Sequence, residues 1–213
     1  MKIDTLLFDL DGTLINTNDL IISSFLHTLE HYFPGKYTRE KVIEFIGPPL
    51  VDSFKGIDAE RVEEMITMYR EHNLSNHDLL IKEYEGVFET IERLHKEGFK
   101  LAVVTTKMKS TAVRGLEVTG LDRFFEVIVA IDDVEKVKPD PEPLEKAMKA
   151  LKSTAETTIM VGDSQYDILG GKNTGTATAA VAWSIKGEAF IRSFEPNYVL
   201  EDMRDLLKIV GVE

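Results

Sequence analysis

Short, nearly unbroken apolar runs separated by helical patterns constrain the fold of this chain most. The runs are Thr5-Leu6-Leu7-Phe8, Leu101-Ala102-Val103-Val104, Val127-Ile128-Val129-Ala130, Thr158-Ile159-Met160-Val161 and Ala179-Ala180-Val181-Ala182. A strand with one wetted face alternates apolar and polar residues. A strand covered on both faces has no reason to alternate, and parallel sheets are covered this way. Between the runs the period changes to that of a helix. Glu89 to Glu97 places Ile91, Leu94 and His95 on one face, and Gly98 ends it. Thr111 to Gly120 carries Val113, Leu116 and Val118, and Leu144 to Leu151 carries Leu144, Met148 and Leu151. A short helix is expected over Ile168 to Gly175, beginning just after Asp167. Strand and helix in alternation with short connections predict an α/β chain with a Rossmann-like three-layer α/β/α parallel-sheet core.

One stretch interrupts the alternation. Residues 16–83 show helical periodicity and no good strand. Leu20, Ile21, Phe25 and Leu29 make one apolar face, Val42, Ile43 and Ile46 a second, and Val62, Met65, Ile66 and Tyr69 a third. Turn signals at Pro34-Gly35 and Gly47-Pro48-Pro49 separate them. The expected division is therefore a catalytic core of residues 1–15 and 84–213, with a small α-helical cap domain of residues 16–83 inserted after the first strand.

Composition narrows the chemistry. A length of 213 residues with 43% hydrophobic and 29% charged residues suits a soluble protein of one substantial domain, or of a core domain with a smaller insert. A net charge of -12 without a basic stripe argues against nucleic-acid binding. It also means that an anionic substrate needs a local cation in order to approach. Cysteine is absent, which excludes disulfides and thiolate catalysis and suits a reducing cytoplasm. Asp4, Asp9 and Asp11 interrupt any signal-peptide-like apolar segment, and no run approaches the roughly 20 residues of a membrane helix.

The charged residues of interest fall where the apolar runs end. The first run leads into Asp9-Leu10-Asp11-Gly12-Thr13. Two carboxylates so close at a strand end repel each other, and partial burial costs several kcal/mol per charge, roughly, unless a cation intervenes. The alternative is a surface Asx turn with Gly12 as its turn residue. The fourth run ends in Val161-Gly162-Asp163-Ser164, with Asp167 four residues beyond Asp163. Ligand sites in open parallel sheets lie outside the carboxyl ends of the strands at the switch in strand order. If the Asp9 and Asp163 strands are neighbours, their carboxylates converge on a site that suits Mg²⁺ and phosphate oxygens. Either Asp163 or Asp167 could instead cap the next helix. The second run ends in Val104-Thr105-Thr106-Lys107, where a hydroxyl and free backbone N–H groups could cradle phosphate or merely cap a helix. Lys138 lies in Lys136-Val137-Lys138-Pro139-Asp140-Pro141, a segment held extended by proline. A lysine ammonium suits phosphate oxygens. Lys136 is the nearby candidate for an ordinary surface role.

These residues, in this order, resemble the haloacid dehalogenase superfamily. Phe8-Asp9-Leu10-Asp11-Gly12-Thr13-Leu14 is similar to its first motif, Val104-Thr105-Thr106 to its second, Lys138-Pro139 to its third and Gly162-Asp163-Ser164-Gln165-Tyr166-Asp167 to its fourth. The resemblance implies a Mg²⁺-dependent phosphohydrolase with Asp9 as nucleophile and Asp11 as general acid and base. It implies that Asp9, the backbone carbonyl of Asp11, and Asp163 hold the metal, with Asp167 supporting them through water or Lys138. It further implies that Thr105 and the Thr106 amide hold the phosphoryl group while Lys138 offsets the charge of Asp9 and phosphate.

A narrower resemblance is to the bacterial pyrophosphatases linked to serine-phosphorylated HPr, within the phosphoglycolate phosphatase-like group. It rests on His27 to Tyr37, Phe45-Ile46-Gly47-Pro48-Pro49-Leu50, Val181 to Gly187 and Glu195-Pro196-Asn197-Tyr198. It implies hydrolysis of inorganic pyrophosphate formed when HPr is dephosphorylated by phosphorolysis. Gly47 and Pro48 form a small, rigid, apolar loop that would suit a compact substrate, although Pro48-Pro49 could simply bound a helix. A phosphatase acting on phosphoglycolate or a sugar phosphate would share every catalytic residue. A sugar-phosphate mutase would need a cap that holds a whole sugar, and a non-enzymatic phosphate binder would have no need of Asp9, Asp11 and Lys138 together.

Overall fold

The computed structural model describes residues 2–212. All five apolar runs form strands of one six-stranded sheet. Its members are β1 (Thr5–Phe8), β4 (Lys100–Val104), β5 (Val127–Val129), β6 (Thr158–Gly162), β7 (Ala177–Val181) and β8 (Tyr198–Leu200). Two two-residue strands, β2 (Ile15–Asn16) and β3 (Lys82–Glu83), bracket the helical segment between them. The sheet order is β5-β4-β1-β6-β7-β8, and every neighbouring pair is parallel. The chain therefore builds outward from β1 in one direction and then, from β6, in the other. The switch in direction falls between β1 and β6, where a crevice opens at the carboxyl ends of the strands.

Burial explains the lack of alternation. Leu7, Ala102, Val104, Val129 and Met160 share one face of the sheet with Leu144, Ala147 and Met148 of α7 (Glu142–Leu151). Leu6, Phe8, Val103 and Val161 point the opposite way by the two-residue period and are also essentially inaccessible. Phe8 meets Phe125 edge-on at 6.0 Å between ring centroids. Helices thus flank a sheet with no wetted face, and the three-layer core follows from the sequence pattern.

Some local expectations are corrected. In α5 (Val87–Lys96), Ile91 and Leu94 are buried but His95 is exposed, with its ring against Phe124. In α6 (Lys109–Val118) the buried residues are Ala112, Gly115 and Leu116, while Val118 is 44% exposed. The helix after β6, α8 (Gln165–Thr174), starts before Asp167. Strand β8 was not expected at all. It has three residues, sits at the sheet edge and leaves Tyr198 exposed, so it lacks the continuous apolar signature of the inner strands.

The chain divides into two compact units, residues 1–16 with 83–213, and residues 17–82. The second unit is helical, with α1 (Asn18–Tyr32), α2 (Arg39–Ile43), α3 (Leu50–Ile57) and α4 (Val62–Leu80). Its core is aromatic. Phe25 lies 4.9 Å from Tyr69, 5.3 Å from Phe54 and 6.1 Å from Phe45, centroid to centroid. On α1 the inward side includes Ile22 in preference to Ile21, together with Ser24 and Thr28, whose hydroxyls donate to the carbonyls of Leu20 and Ser24. Those internal bonds let polar residues occupy a buried helix face.

Candidate active site

The site grows from the two central strands. Asp9 follows β1 directly, and its N–H donates to the Val161 carbonyl of β6 at 2.9 Å. Register pairs Phe8 with Val161, so Asp9 and the Gly162-Asp163 corner leave the sheet side by side. Two glycines make room there. Gly12 has φ +84°, and a Cβ on it would meet Asp163 Oδ2 at 2.5 Å. A Cβ on Gly162 would meet Cγ of Asp167 at 2.2 Å. The backbone thus approaches both carboxylates too closely for any side chain.

Asp9, Asp163 and Asp167 are buried and each offers a carboxylate oxygen within 4.8 Å of the others. Lys138 stands among them, 4% exposed. Its ammonium donates to Asp9 Oδ1 at 2.8 Å, Asp167 Oδ1 at 2.6 Å and the Val104 carbonyl at 2.7 Å. An isolated lysine is ordinarily a solvated surface residue, and Lys136 is one, 71% exposed and 3.5 Å from Asp140. Asp167 is held from its other side, since Oδ2 accepts from the Ser164 N–H and hydroxyl. That arrangement is a capping box, with Ser164 as N-cap and Asp167 as its reciprocal partner. Neither aspartate is the N-cap, which removes the simplest structural account of Asp163.

The electrostatics of this cluster suit a bound cation. Burial, opposed by Lys138 and reinforced by Asp167 and Asp11, raises Asp9 to about 7. Burial and then the charges of Asp9 and Asp167 raise Asp163 well above the usual carboxylate range. Burial works against the Lys138 ammonium, yet Asp167 and Asp9 outweigh it and hold its pKa above that of an ordinary lysine. With all three carboxylates ionised, one ammonium would leave two negative charges uncompensated, and the raised pKa values of Asp9 and Asp163 reflect that cost. Among the described residues, no ion pair or hydrogen bond reaches the Asp163 carboxylate. An all-oxygen set carrying this charge fits a hard divalent cation.

The remaining expected residues fall into two groups. Thr105 is buried at the end of β4, and Thr106 follows it half-buried. Thr105 Oγ1 accepts the Lys107 N–H at 3.1 Å, and the N-cap of α6 is Met108, so neither threonine caps that helix. Asp11 projects from the loop after β1, with Lys107 Nζ at 2.7 Å from its Oδ1. Gly47 and Pro48 belong to the helical unit, in the loop that Pro49 ends as N-cap of α3. Sequence reasoning quoted Lys107 and gave it no role. The available signal was its place two residues after Thr105, in the same strand-end turn. Ser184, inside the Val181 to Gly187 stretch, was likewise given no role, yet its buried hydroxyl donates to the Asp163 carbonyl at 2.7 Å.

A doubly wound parallel sheet with an acid-and-lysine cluster at its switch point defines a hydrolase of the phosphatase type. The chain belongs to the haloacid dehalogenase-like hydrolases, whose family model it matches over residues 6–181. It is 65% identical to "Pyrophosphatase PpaX" of Halalkalibacterium halodurans, over 100% of this chain and 99% of that one. It is 58% identical to the protein of that name from Anoxybacillus flavithermus, again over 100% and 99%. A haloacid dehalogenase-like hydrolase from Bacteroides fragilis superposes with TM-score 0.90 at 25% identity, covering 96% of this chain and 100% of that one. A phosphatase from Clostridium difficile does so with TM-score 0.83 at 30% identity, covering 99% of each.

Proposed function

We propose that this chain hydrolyses inorganic pyrophosphate to two phosphates through an aspartyl-phosphate on Asp9. The carrying observation is the Asp9 carboxylate, buried at the switch point and aimed by the Lys138 ammonium at 2.8 Å. The name borne by relatives 65% and 58% identical over the whole chain supports pyrophosphate as substrate.

In this reading Asp9 attacks one phosphorus, and the bond from that phosphorus to the bridging oxygen breaks. Asp11 gives its proton to the bridging oxygen, and the first phosphate leaves. Asp11 then takes a proton from water, which attacks the phosphorus of the aspartyl-phosphate, releases the second phosphate and restores Asp9. Splitting one displacement into two lowers each barrier. Thr105 and the Thr106 amide hold the equatorial oxygens, and Lys138 neutralises charge as it gathers there. Asp9, Asp163 and the Asp11 carbonyl would hold Mg²⁺, with Asp167 fixed behind them by Lys138 and Ser164. Bound there, Mg²⁺ supplies the charge neutralisation that one lysine leaves incomplete. The physiological task would be to clear pyrophosphate released when serine-phosphorylated HPr is dephosphorylated, in the cytoplasm. No described helix is long and apolar enough to cross a membrane.

The test compares kcat/KM for pyrophosphate, phosphoglycolate and hexose phosphates at saturating Mg²⁺. Pyrophosphate is expected to lead, with activity lost on chelation. A preference for phosphoglycolate overturns the substrate and leaves the chemistry standing.

Magnesium has a readout besides turnover. A carboxyl whose folded pKa is raised favours the fold while protonated. That contribution is lost as pH rises from the unfolded value through the folded one. For Asp9 the window runs from 3.8 to about 7. The metal-free protein is therefore expected to lose thermal stability across it, and Mg²⁺ to raise Tm more at pH 8 than at pH 5. An equal rise at both values contradicts metal binding at Asp9 and Asp163.

A further inference from the structure

We infer that Lys107 binds the departing phosphate and makes this site selective for phosphoryl donors whose leaving group is itself an anion. The inference rests on the proposed reading of Asp9 and Asp11 and extends it to the other half of the substrate.

The geometry is specific. Lys107 Nζ lies 2.7 Å from Asp11 Oδ1, with the two side chains 12% and 19% exposed. Its backbone is fixed on both sides. The N–H donates to Thr105 Oγ1 at 3.1 Å, and the carbonyl accepts from the Ile131 N–H at 3.1 Å. The ammonium is thus carried on the same turn as the phosphate-cradling threonine, and it points to the acid rather than to the nucleophile. Asp9 already has its own lysine in Lys138.

A group that protonates the bridging oxygen must touch it. A cation in hydrogen-bond contact with that group lies beside the bridging oxygen, on the side where the leaving group departs. When pyrophosphate is cleaved, that side gathers the charge of a free phosphate. An ammonium fixed there before reaction stabilises the charge without reorganising. An alcohol leaving from a simple ester places no such charge there. Lys107 keeps its proton throughout.

The other reading is that Lys107 only holds Asp11 in place. The two readings differ over which substrate suffers. An alcohol needs the proton from Asp11 more than phosphate does, because it is the poorer leaving group. A misplaced Asp11 therefore harms an alkyl ester with an uncharged alcohol leaving group at least as much as pyrophosphate. A missing leaving-group cation harms the donors whose leaving group is an anion and spares the alkyl ester.

The experiment measures kcat/KM of the full chain and of Lys107→Met on pyrophosphate, phosphoglycolate and glycerol phosphate at saturating Mg²⁺. Lys107→Met is expected to lose about 10²-fold on pyrophosphate, the cost of removing one transition-state donor, and only a few-fold on glycerol phosphate. Phosphoglycolate, whose leaving group carries a carboxylate, falls with pyrophosphate. Lys107→Arg is expected to keep the unsubstituted ratio, and it carries the test if the Met variant does not fold. Equal losses on all three substrates by Lys107→Met, or a ratio that collapses in a folded Lys107→Arg, overturn the inference. If the unsubstituted chain ignores pyrophosphate but cleaves phosphoglycolate, the substrate reading has failed. The Lys107 inference is then decided on the phosphoglycolate to glycerol phosphate ratio.

Discussion

Asp9→Asn is expected to abolish phosphate release and to leave the fold intact. The amide keeps the shape of the carboxylate but cannot attack phosphorus, and it is a poorer ligand for a cation. The loss in kcat is expected to be at least about 10⁴-fold, in line with removal of a nucleophile elsewhere. Stability should change little. Burial raises the pKa of Asp9, so the fold already disfavours its charge, and a neutral amide relieves that cost. Lys138 retains Asp167 at 2.6 Å as its partner. Steady-state phosphate release and a thermal melt check both halves. Substantial residual turnover by pure variant protein would remove Asp9 as nucleophile.

Lys138→Met has the second largest expected effect, and it strikes twice. The ammonium is the cation paired with Asp9 and Asp167, and all three groups are buried. Without it two carboxylates face each other in a site of low polarity. Removing one partner of a buried ion pair costs about 3–5 kcal/mol. Turnover should fall by about 10²-fold or more, because charge on the transferring phosphoryl group loses its fixed counter-ion. In the metal-free protein the pKa of Asp9 should also move upward, since Lys138 is the influence that lowers it. Urea unfolding across pH in the absence of metal, with steady-state rates at saturating Mg²⁺, separates these effects. Unchanged metal-free stability together with an unchanged rate would show that Lys138 does not govern Asp9.

Much of this is legible in the sequence. The five apolar runs became β1, β4, β5, β6 and β7 because burial on both faces leaves a signal that survives without context. Asp9, Asp163 and Lys138 stood out because charged residues at the ends of such runs need a reason. Their convergence could only be conditional, since no periodicity states which strands are neighbours. The pairing of β1 with β6 supplied that. The start of α8 was misplaced because a capping box reads the same as a bare helix-starting aspartate until the Ser164 bonds are seen. Lys107 was passed over because a lysine near a strand end is usually solvated, and its contact with Asp11 joins residues 96 positions apart.

The neighbour relation of β1 and β6 also bears on how the protein comes into being. The proposed nucleophile, Asp9, is made almost first, yet Lys138 lies 129 residues further along the chain and β6 later still. As the chain leaves the ribosome, the helical stretch 17–82 has all its own aromatic core residues in hand and can condense early. The strand before it must wait, first for β4 and then for β6, because both of its hydrogen-bonded edges are filled from downstream. A ribosome stalled before β6 would hold a chain with Asp9 and no working site. On the proposed reading, catalytic competence in this topology is a late event of biosynthesis, and a product truncated before β6 would not hydrolyse pyrophosphate.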